Sequence, residues 1–177
     1  MFGDVRAVPA DHGQAITADP RHRLYRPEHG GGALLDLGVY PVQLSSMVLG
    51  APTGITAVGA MTDTGVDAYS TLSTLYSSIQ ARTLMTGVIA GTEATVSIVG
   101  AFYAPTSFTL SGADHFSPTL RWSDPTGLRG FHGLSSEATA LARFVGEGRT
   151  ESPVHNLEET VSIIATIDQA RAQLAGS

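Results

Sequence analysis

The sequence contains neither cysteine nor lysine among its 177 residues. Without cysteine the chain has no disulfide, no thiolate nucleophile, no iron–sulfur cluster and no cysteine-bound zinc. Without lysine it forms no Schiff base and has no lysine of its own to assist a proton transfer. Acid–base chemistry by this chain is therefore left to histidine, tyrosine and the carboxylates, with arginine as the permanent cation.

Basic charge is scarce as well. Ten arginines stand against 16 acidic residues, and the formal net charge is −6. Because binding to phosphates requires clustered Lys and Arg, this balance argues against a nucleic-acid partner. The segment from Met1 to Arg6 is charged where a signal peptide would be apolar, and no apolar run approaches the roughly 20 residues of a membrane span. We therefore expect a cytoplasmic protein without a membrane partner.

Several catalytic and metal-binding patterns are missing too. The six histidines include no pair three or four residues apart, and no HExxH or EF-hand spacing occurs, so we expect no metal site. A nucleophile elbow would need glycine where Glu137 stands, and a phosphate-binding loop would need a lysine. A hydrolase that uses one of the histidines is therefore not supported, because no nucleophile–base pair is visible in the sequence.

The stretch from Thr17 to Gly32 has the composition of a loop, with two prolines and three arginines. A functional loop and a solvated basic surface loop are both open interpretations. The run Gly30–Gly32 precedes a predicted helix and could hold an anion at its N-terminus. It is not a dinucleotide fingerprint, because no apolar strand precedes it and no GxGxxG pattern follows.

The first half of the sequence predicts one strand and one helix. Apolar and polar residues alternate between Gly3 and Gly13, and in an unbroken strand Arg6 and His12 would lie on one face. From residue 33 to residue 49 apolar residues recur at helical spacing, and Gly50 then ends the helix.

The second half predicts strands and then helices. Short segments rich in threonine and β-branched residues, joined by short connections, favour an antiparallel meander over βαβ units. The predicted strands are 56–61, 66–76, 81–89, 94–99, 108–110 and 119–122. Ser135 or Ser136 could cap a first helix, and Asn156 with Glu159 resembles a capping box for a second. Two adjacent apolar stripes predict that this second helix is well buried.

This order of elements is typical of the α+β class. We expect one domain over residues 1–177, built on an open, mainly antiparallel sheet with helices on one face. The other face must meet solvent or a partner, so it is available for dimerisation.

Asp36 and Tyr40 are the candidates for chemistry that remain. They are four residues apart, so in a helical turn they lie on one face. A tyrosine has an ordinary pKa of about 10, and exchange of its proton with a ligand hydroxyl needs a stabilising cation nearby. Spacing alone favours the structural alternative, in which Asp36 bonds to a turn and Tyr40 packs.

The segment from Gly30 to Val42, GGGALLDLGVYPV, resembles a signature of the glucose–fructose oxidoreductase and inositol dehydrogenase family. Within that family the sequence most resembles the dihydrodiol and xylose dehydrogenase branch, whose members carry tyrosine at the position of Tyr40. Further matching segments follow the family's order over most of the chain: 3–6, 10–13, 65–67, 91–94 and 148–153.

This resemblance implies a two-domain enzyme. An N-terminal domain binds NAD or NADP and supplies a lysine for proton transfer, and the C-terminal domain holds the substrate on a sheet that mediates dimerisation. By the same resemblance Tyr40 is the acid–base group at a hydroxyl of a sugar, polyol or diol, and Asp36 orients that substrate. Arg6 and His12 match positions that line the substrate side.

The dinucleotide-binding domain and its lysine do not occur in the 177 residues. We therefore expect this chain to be the C-terminal, substrate-binding and oligomerisation domain of an NAD(P)-dependent oxidoreductase acting on CH–OH groups, inactive when isolated. The alternative is a non-catalytic, dimeric binding or assembly module in which the motif serves packing only.

Overall fold

In a computed structural model of the chain, residues 2–114 and 116–176 are described. They form nine strands: β1 (Val5–Ala7), β2 (Ala10–Gly13), β3 (Ala57–Met61), β4 (Asp67–Leu72), β5 (Leu75–Ser78), β6 (Gly87–Gly91), β7 (Ala94–Ile98), β8 (Ser107–Gly112) and β9 (Thr119–Ser123). The helices are α1 (Val39–Leu49), α2 (Leu134–Gly146) and α3 (Leu157–Ala175). A π-helical turn, Leu34–Gly38, leads directly into α1.

All nine strands belong to one sheet in the order β3-β4-β5-β2-β6-β7-β8-β9, and β1 also pairs with β6. Among the described strands only β2 and β5 run parallel, with His12 opposite Ser77. This architecture confirms the predicted α+β class and its open, mainly antiparallel sheet. It also places His12 on a strand in the interior of the sheet.

Two predicted strands are broken in the structure. The first is interrupted between Ala7 and Ala10, where Pro9 has no N–H for a ladder, and its two parts pair differently. The expectation that Arg6 and His12 share one face of an unbroken strand is therefore wrong. The predicted strand 66–76 is likewise a hairpin of β4 and β5, which turns at Ser73 with φ of 51°.

The main core lies between the sheet and the helices α1 and α3. Its buried side chains are Leu34, Val42, Ala57, Leu72, Ile163, Ile167, Ala170 and Leu174. A second buried cluster contains Leu24 and Tyr25 from the loop at 17–32, packed with Leu37 and Ile79. This loop is thus anchored in the interior beside the π turn, and is not only a solvated basic surface.

The two C-terminal helices are less buried than their patterns predict. The capping box of Asn156 and Glu159 is present at the start of α3. One apolar stripe of α3 is buried, but Leu157 and Val161 on the neighbouring stripe are exposed, so the expectation of a wide buried arc is wrong. The structure describes all of α2, and none of its residues is buried.

One stretch, Pro27–Leu49, is long and apolar enough to cross a membrane by length and composition alone. In the structure it is interrupted by a left-handed residue at Gly30 and by the π turn. Leu34, Leu37 and Leu44 within it are buried in the protein core, as expected for an interior helix.

Candidate functional site

The helix that carries Asp36 and Tyr40 starts as a π turn, and the sequence around Pro41 accounts for this. Pro41 lies in the first turn of α1. A proline has no N–H and clashes with the carbonyl four residues earlier in an α-helix. The wider π turn directly before it accommodates the ring, and π turns of this kind are frequent at functional sites.

A buried carboxylate holds the start of this helix. Asp67 Oδ2 accepts a hydrogen bond of 2.6 Å from the N–H of Leu34. Gly32 has φ of 113°, and a Cβ on it would lie 2.1 Å from Asp67 Oδ1. Burial raises the pKa of Asp67, against the hydrogen bond from Leu34 that lowers it. The glycine run does therefore face an anion, but that anion is a side chain of the same protein.

Asp36 is held by an arginine from the preceding loop. Its Oδ1 lies 2.6 Å from Nη2 of Arg23, and the Asp36 side chain is largely shielded. Arg23 was not among the residues expected at the site. The cluster of three arginines in the loop at 17–32 was the available signal for it. This pair brings a cation to the motif, although the charge is matched by Asp36.

Tyr40 belongs to a cluster of three rings with His12 and Tyr103. The ring centroids of His12 and Tyr103 are 4.6 Å apart and nearly parallel, at 18°. Tyr40 lies 5.1 Å from His12 and 4.8 Å from Tyr103. Tyr40 is 36% exposed and Tyr103 is 40% exposed, whereas His12 is 2% exposed. The buried ring of His12 thus packs against two phenol rings that are partly exposed.

The buried position of His12 determines its charge. Burial lowers the pKa of His12, while the nearby Asp36 and Asp11 act in the opposite sense. Its Nε2 lies 3.2 Å from Nε2 of Gln14, and a hydrogen bond with the backbone of Leu37 also acts to raise the pKa of His12. His12 therefore supplies a neutral ring at neutral pH.

Asp11, the neighbour of His12 on β2, fixes a second segment of the site. Its carboxylate accepts hydrogen bonds from the N–H of Met85 at 2.8 Å, and from the N–H and hydroxyl of Thr86. Although burial raises the pKa of Asp11, bonds from Thr83, Thr86 and Met85 outweigh it and hold the pKa below its usual value. Met85, held at φ of 57°, then accepts a bond from the N–H of Phe102.

A cavity of about 490 Å³ opens beside Tyr40. Its walls include Tyr103, Asp124, Phe131 and Glu137. The phenol of Tyr40 is therefore not sealed in the interior. A space with two phenols, two carboxylates and an aromatic face suits a neutral ligand that carries several hydroxyl groups.

The ring of Tyr40 lies 5.1 Å from that of His12, and Asp36 is close enough to act on the pKa of His12, but neither His12 nor Asp36 lines the cavity beside Tyr40. The structure places Arg6 elsewhere. Arg6 is exposed and pairs with Asp4 at 2.8 Å. It lines a separate cavity of about 490 Å³ together with Val42 and Ser46 of α1. In this chain the side chain of Arg6 does not line the cavity beside Tyr40.

The described residues do not form a Rossmann-type dinucleotide site. The sheet has one parallel strand pair among its described strands, and the helix N-terminus that would face a pyrophosphate is filled by Asp67. No group of three potential metal ligands occurs among the residues that the structure describes, and His115 lies outside them.

Comparison with known proteins agrees with this geometry. The sequence profile of the GFO/IDH/MocA C-terminal domain matches residues 1–112. A trans-1,2-dihydrobenzene-1,2-diol dehydrogenase of Xenopus tropicalis is 31% identical over 184 residues, which cover 98% of this chain and 55% of the relative. The chain therefore spans about half the length of the curated relatives that it matches.

Solved structures share the fold at lower identity. An aldose–aldose oxidoreductase from Caulobacter crescentus, complexed with glycerol, superposes with a TM-score of 0.77 at 20% identity over 99% of this chain and 55% of its own. A levoglucosan dehydrogenase in complex with NADH and L-sorbose gives 0.77 at 15% identity, over 99% and 57%. Its relatives are oxidoreductases, and the chain belongs to the GFO/IDH/MocA C-terminal domain family.

Proposed function

We propose that this chain is the substrate-binding and oligomerisation domain of an NAD(P)-dependent oxidoreductase that acts on a CH–OH group of a sugar, polyol or diol. The observation that carries the proposal is the phenol of Tyr40, which is 36% exposed beside a cavity of about 490 Å³. The Xenopus tropicalis relative is a dehydrogenase of a cyclic diol, which supports the same class of substrate.

The chain's own residues can serve only part of such a reaction. Oxidation of CH–OH to a carbonyl releases a proton from oxygen and a hydride from carbon. We propose that Tyr40, as the phenolate, accepts the proton from the reacting oxygen and that the hydride passes to the nicotinamide of NAD or NADP. Asp36 is paired with Arg23 and does not line the cavity, so the proposed orientation of the substrate by Asp36 would act through this pair. His12 supports the ring of Tyr40 from below.

A free cation is still needed, because the charge of Arg23 is matched by Asp36. We propose that NAD or NADP, and a cation that stabilises the phenolate of Tyr40, are held by protein outside the described residues. This chain covers 55% and 57% of the two solved enzymes in the comparison. Proteins that contain this fold therefore also contain a further portion of similar size, which could hold these groups.

Dimerisation through the sheet and a cytoplasmic location are further parts of the proposal. Val58 and Tyr69 are exposed on the strands β3 and β4, next to the buried Ala57 and Ala68. They therefore point away from the core, on the face of the sheet opposite α3. We call this the outer face. Its apolar and aromatic side chains suit contact with a second copy.

A binding titration of the chain tests the proposal. The probes are trans-1,2-dihydrobenzene-1,2-diol, glycerol and L-sorbose, monitored by NMR signals of labelled tyrosine rings. We expect at least one probe to shift the signals of Tyr40, and Tyr40→Phe to weaken that binding, while Thr150→Val, at an exposed position outside the cavity, does not. A chain that is dimeric by size exclusion but binds none of them would favour the alternative, a non-catalytic assembly module.

The catalytic role of Tyr40 is tested in a protein that joins this domain to a dinucleotide-binding portion. There Tyr40→Phe should lower kcat by a factor of about 10² to 10⁴, the usual share of general acid–base catalysis. The melting temperature should stay close to that of the unmodified protein, because Tyr40 is partly exposed. Unchanged kcat would remove Tyr40 from the chemistry.

A further inference from the structure

Tyr103 lies beside Tyr40 at the same cavity. It belongs to the connection between β7 and β8, and 40% of its surface is exposed. The centroids of the two phenol rings are 4.8 Å apart, and both rings line the cavity. Any ligand that reaches the hydroxyl of Tyr40 from this cavity therefore also meets Tyr103.

The ring of Tyr103 is held on two sides. It stacks on the buried His12 at 4.6 Å and meets the edge of Phe102 at 5.8 Å and 79°. Phe102 is itself buried in a core cluster, and its N–H donates to the carbonyl of Met85 at 3.2 Å. Offset and edge-to-face contacts of this kind fix ring orientation. The orientation of Tyr103 is thus set before a ligand arrives.

The hydroxyl of Tyr103, by contrast, is weakly held. It donates a hydrogen bond to Sδ of Met85, at 3.8 Å. A thioether sulfur is a weak acceptor, whereas the oxygen of a ligand hydroxyl is a strong one. Exchange of the sulfur for a ligand oxygen would therefore cost little. A fixed ring with an exchangeable hydroxyl is a preorganised binding group.

We infer that Tyr103 is a ligand-binding and specificity residue of this site: its hydroxyl bonds to a hydroxyl of the ligand, and its ring limits the shape that fits beside Tyr40. The inference rests on the proposed function, since it assigns a second contact in the same cavity. It differs from the role of Tyr40, because Tyr103 binds the ligand without exchanging a proton with the reacting oxygen.

The test measures the Kd of the 177-residue chain for trans-1,2-dihydrobenzene-1,2-diol by NMR with labelled tyrosine rings. Tyr103→Phe removes only the hydroxyl and should raise Kd about 3- to 10-fold, the range of one net hydrogen bond. Tyr103→Leu removes the ring as well and should raise Kd further. The control is Thr150→Val, which removes an exposed hydroxyl that lies on no strand of the sheet and does not line the cavity beside Tyr40, and should leave Kd unchanged.

The outcomes separate this inference from the proposed function. If the chain binds the probe and Tyr40→Phe weakens binding while Tyr103→Phe does not, the assignment of Tyr103 is wrong and the proposed function stands. If the unmodified chain binds no probe up to the solubility limit and no tyrosine signal shifts, both are overturned. Thermal unfolding of Tyr103→Phe, expected to match the unmodified chain, shows that a change in Kd is not a loss of fold.

Discussion

The carboxylate of Asp67 and the N–H of Leu34 form a hydrogen bond of 2.6 Å between segments that are 33 residues apart. Asp67 is the first residue of β4, and Leu34 is the first residue of the π turn. Both residues are buried, so the sheet fixes the start of the helix on which Asp36 and Tyr40 lie. The position of Tyr40 at the cavity thus depends on a carboxylate that does not line that cavity.

The close approach of Gly32 to Asp67 predicts a strong effect of a single methyl group. Gly32→Ala places a Cβ against Asp67 Oδ1 at a φ of 113°, and should lower the free energy of unfolding by about 3 kcal/mol or more. Gly30→Ala is the control, because φ is also positive there but the nearest atom is 3.9 Å away. It should cost about 1–2 kcal/mol. Urea unfolding of both variants makes the comparison, and equal losses would contradict it.

Removal of the Asp67 carboxylate should leave a buried N–H without a partner. We expect Asp67→Ala to lower the free energy of unfolding by about 1–3 kcal/mol in urea. Asp63→Ala, at an exposed position four residues earlier, should change it by less than about 0.5 kcal/mol. A loss for Asp67→Ala as small as for Asp63→Ala would mean that the bond to Leu34 does not hold the helix.

The charge of Asp67 also predicts a pH dependence. Because burial raises the pKa of Asp67 above 3.8, the folded protein holds its proton to higher pH than the unfolded chain does. The unmodified protein should therefore lose stability relative to Asp67→Asn as pH rises from about 4 through the raised pKa. Parallel stability curves of the two proteins over this window would show that Asp67 does not titrate as the structure requires.

The buried His12 predicts the opposite trend at higher pH. Since its pKa in the folded protein is lowered below 6.5, the unfolded chain takes up the proton first. Stability should be lost as pH falls below 6.5 toward the folded pKa. His12→Phe, which keeps a ring in the stack, should remove this loss. His132→Phe, at an exposed turn, should retain it. Urea unfolding between pH 7.5 and 5 measures the difference.

The ion pair of Arg23 and Asp36 should affect the pKa of His12 more than the free energy of unfolding. Arg23 is largely exposed, so Arg23→Gln should cost less than about 1 kcal/mol. It leaves Asp36 uncompensated near His12, and we expect the pKa of His12 to rise when followed by NMR. Arg21→Gln, which breaks an exposed pair with Asp19, should not shift it. Equal shifts in both variants would contradict the local origin of the effect.

Features with a local cause were predictable from the sequence. Gly50, at φ of 79°, ends α1 where the helical pattern stops, and Asn156 caps α3 through contacts with Glu159, three residues away. By contrast, Ser73 turns the chain at φ of 51° without the glycine or asparagine that usually marks such a turn. The hairpin there follows from strand pairing, which periodicity does not reveal.

The residues of the site also fall into those that local spacing predicts and those that it does not. Asp36 and Tyr40 share one motif, so their placement follows from a single helix. Tyr103 is distant from both in sequence, and it meets His12 only because β2, β6 and β7 are neighbours in the sheet. A contact set by long-range strand order has no counterpart in local spacing, which is why Tyr103 was not predicted.

The interior position of β2 has a consequence for how this protein folds. β2 precedes its partner strands by more than 60 residues: Ala10 pairs with Leu75 on one side and with Gly87 on the other. Until it inserts, the ribbons β3–β5 and β6–β9 each present an open edge toward the missing strand. Such distant pairings slow folding. Insertion of β2 should therefore come late in the folding of this domain, and the open edges beside it are where wrong strand pairing would begin.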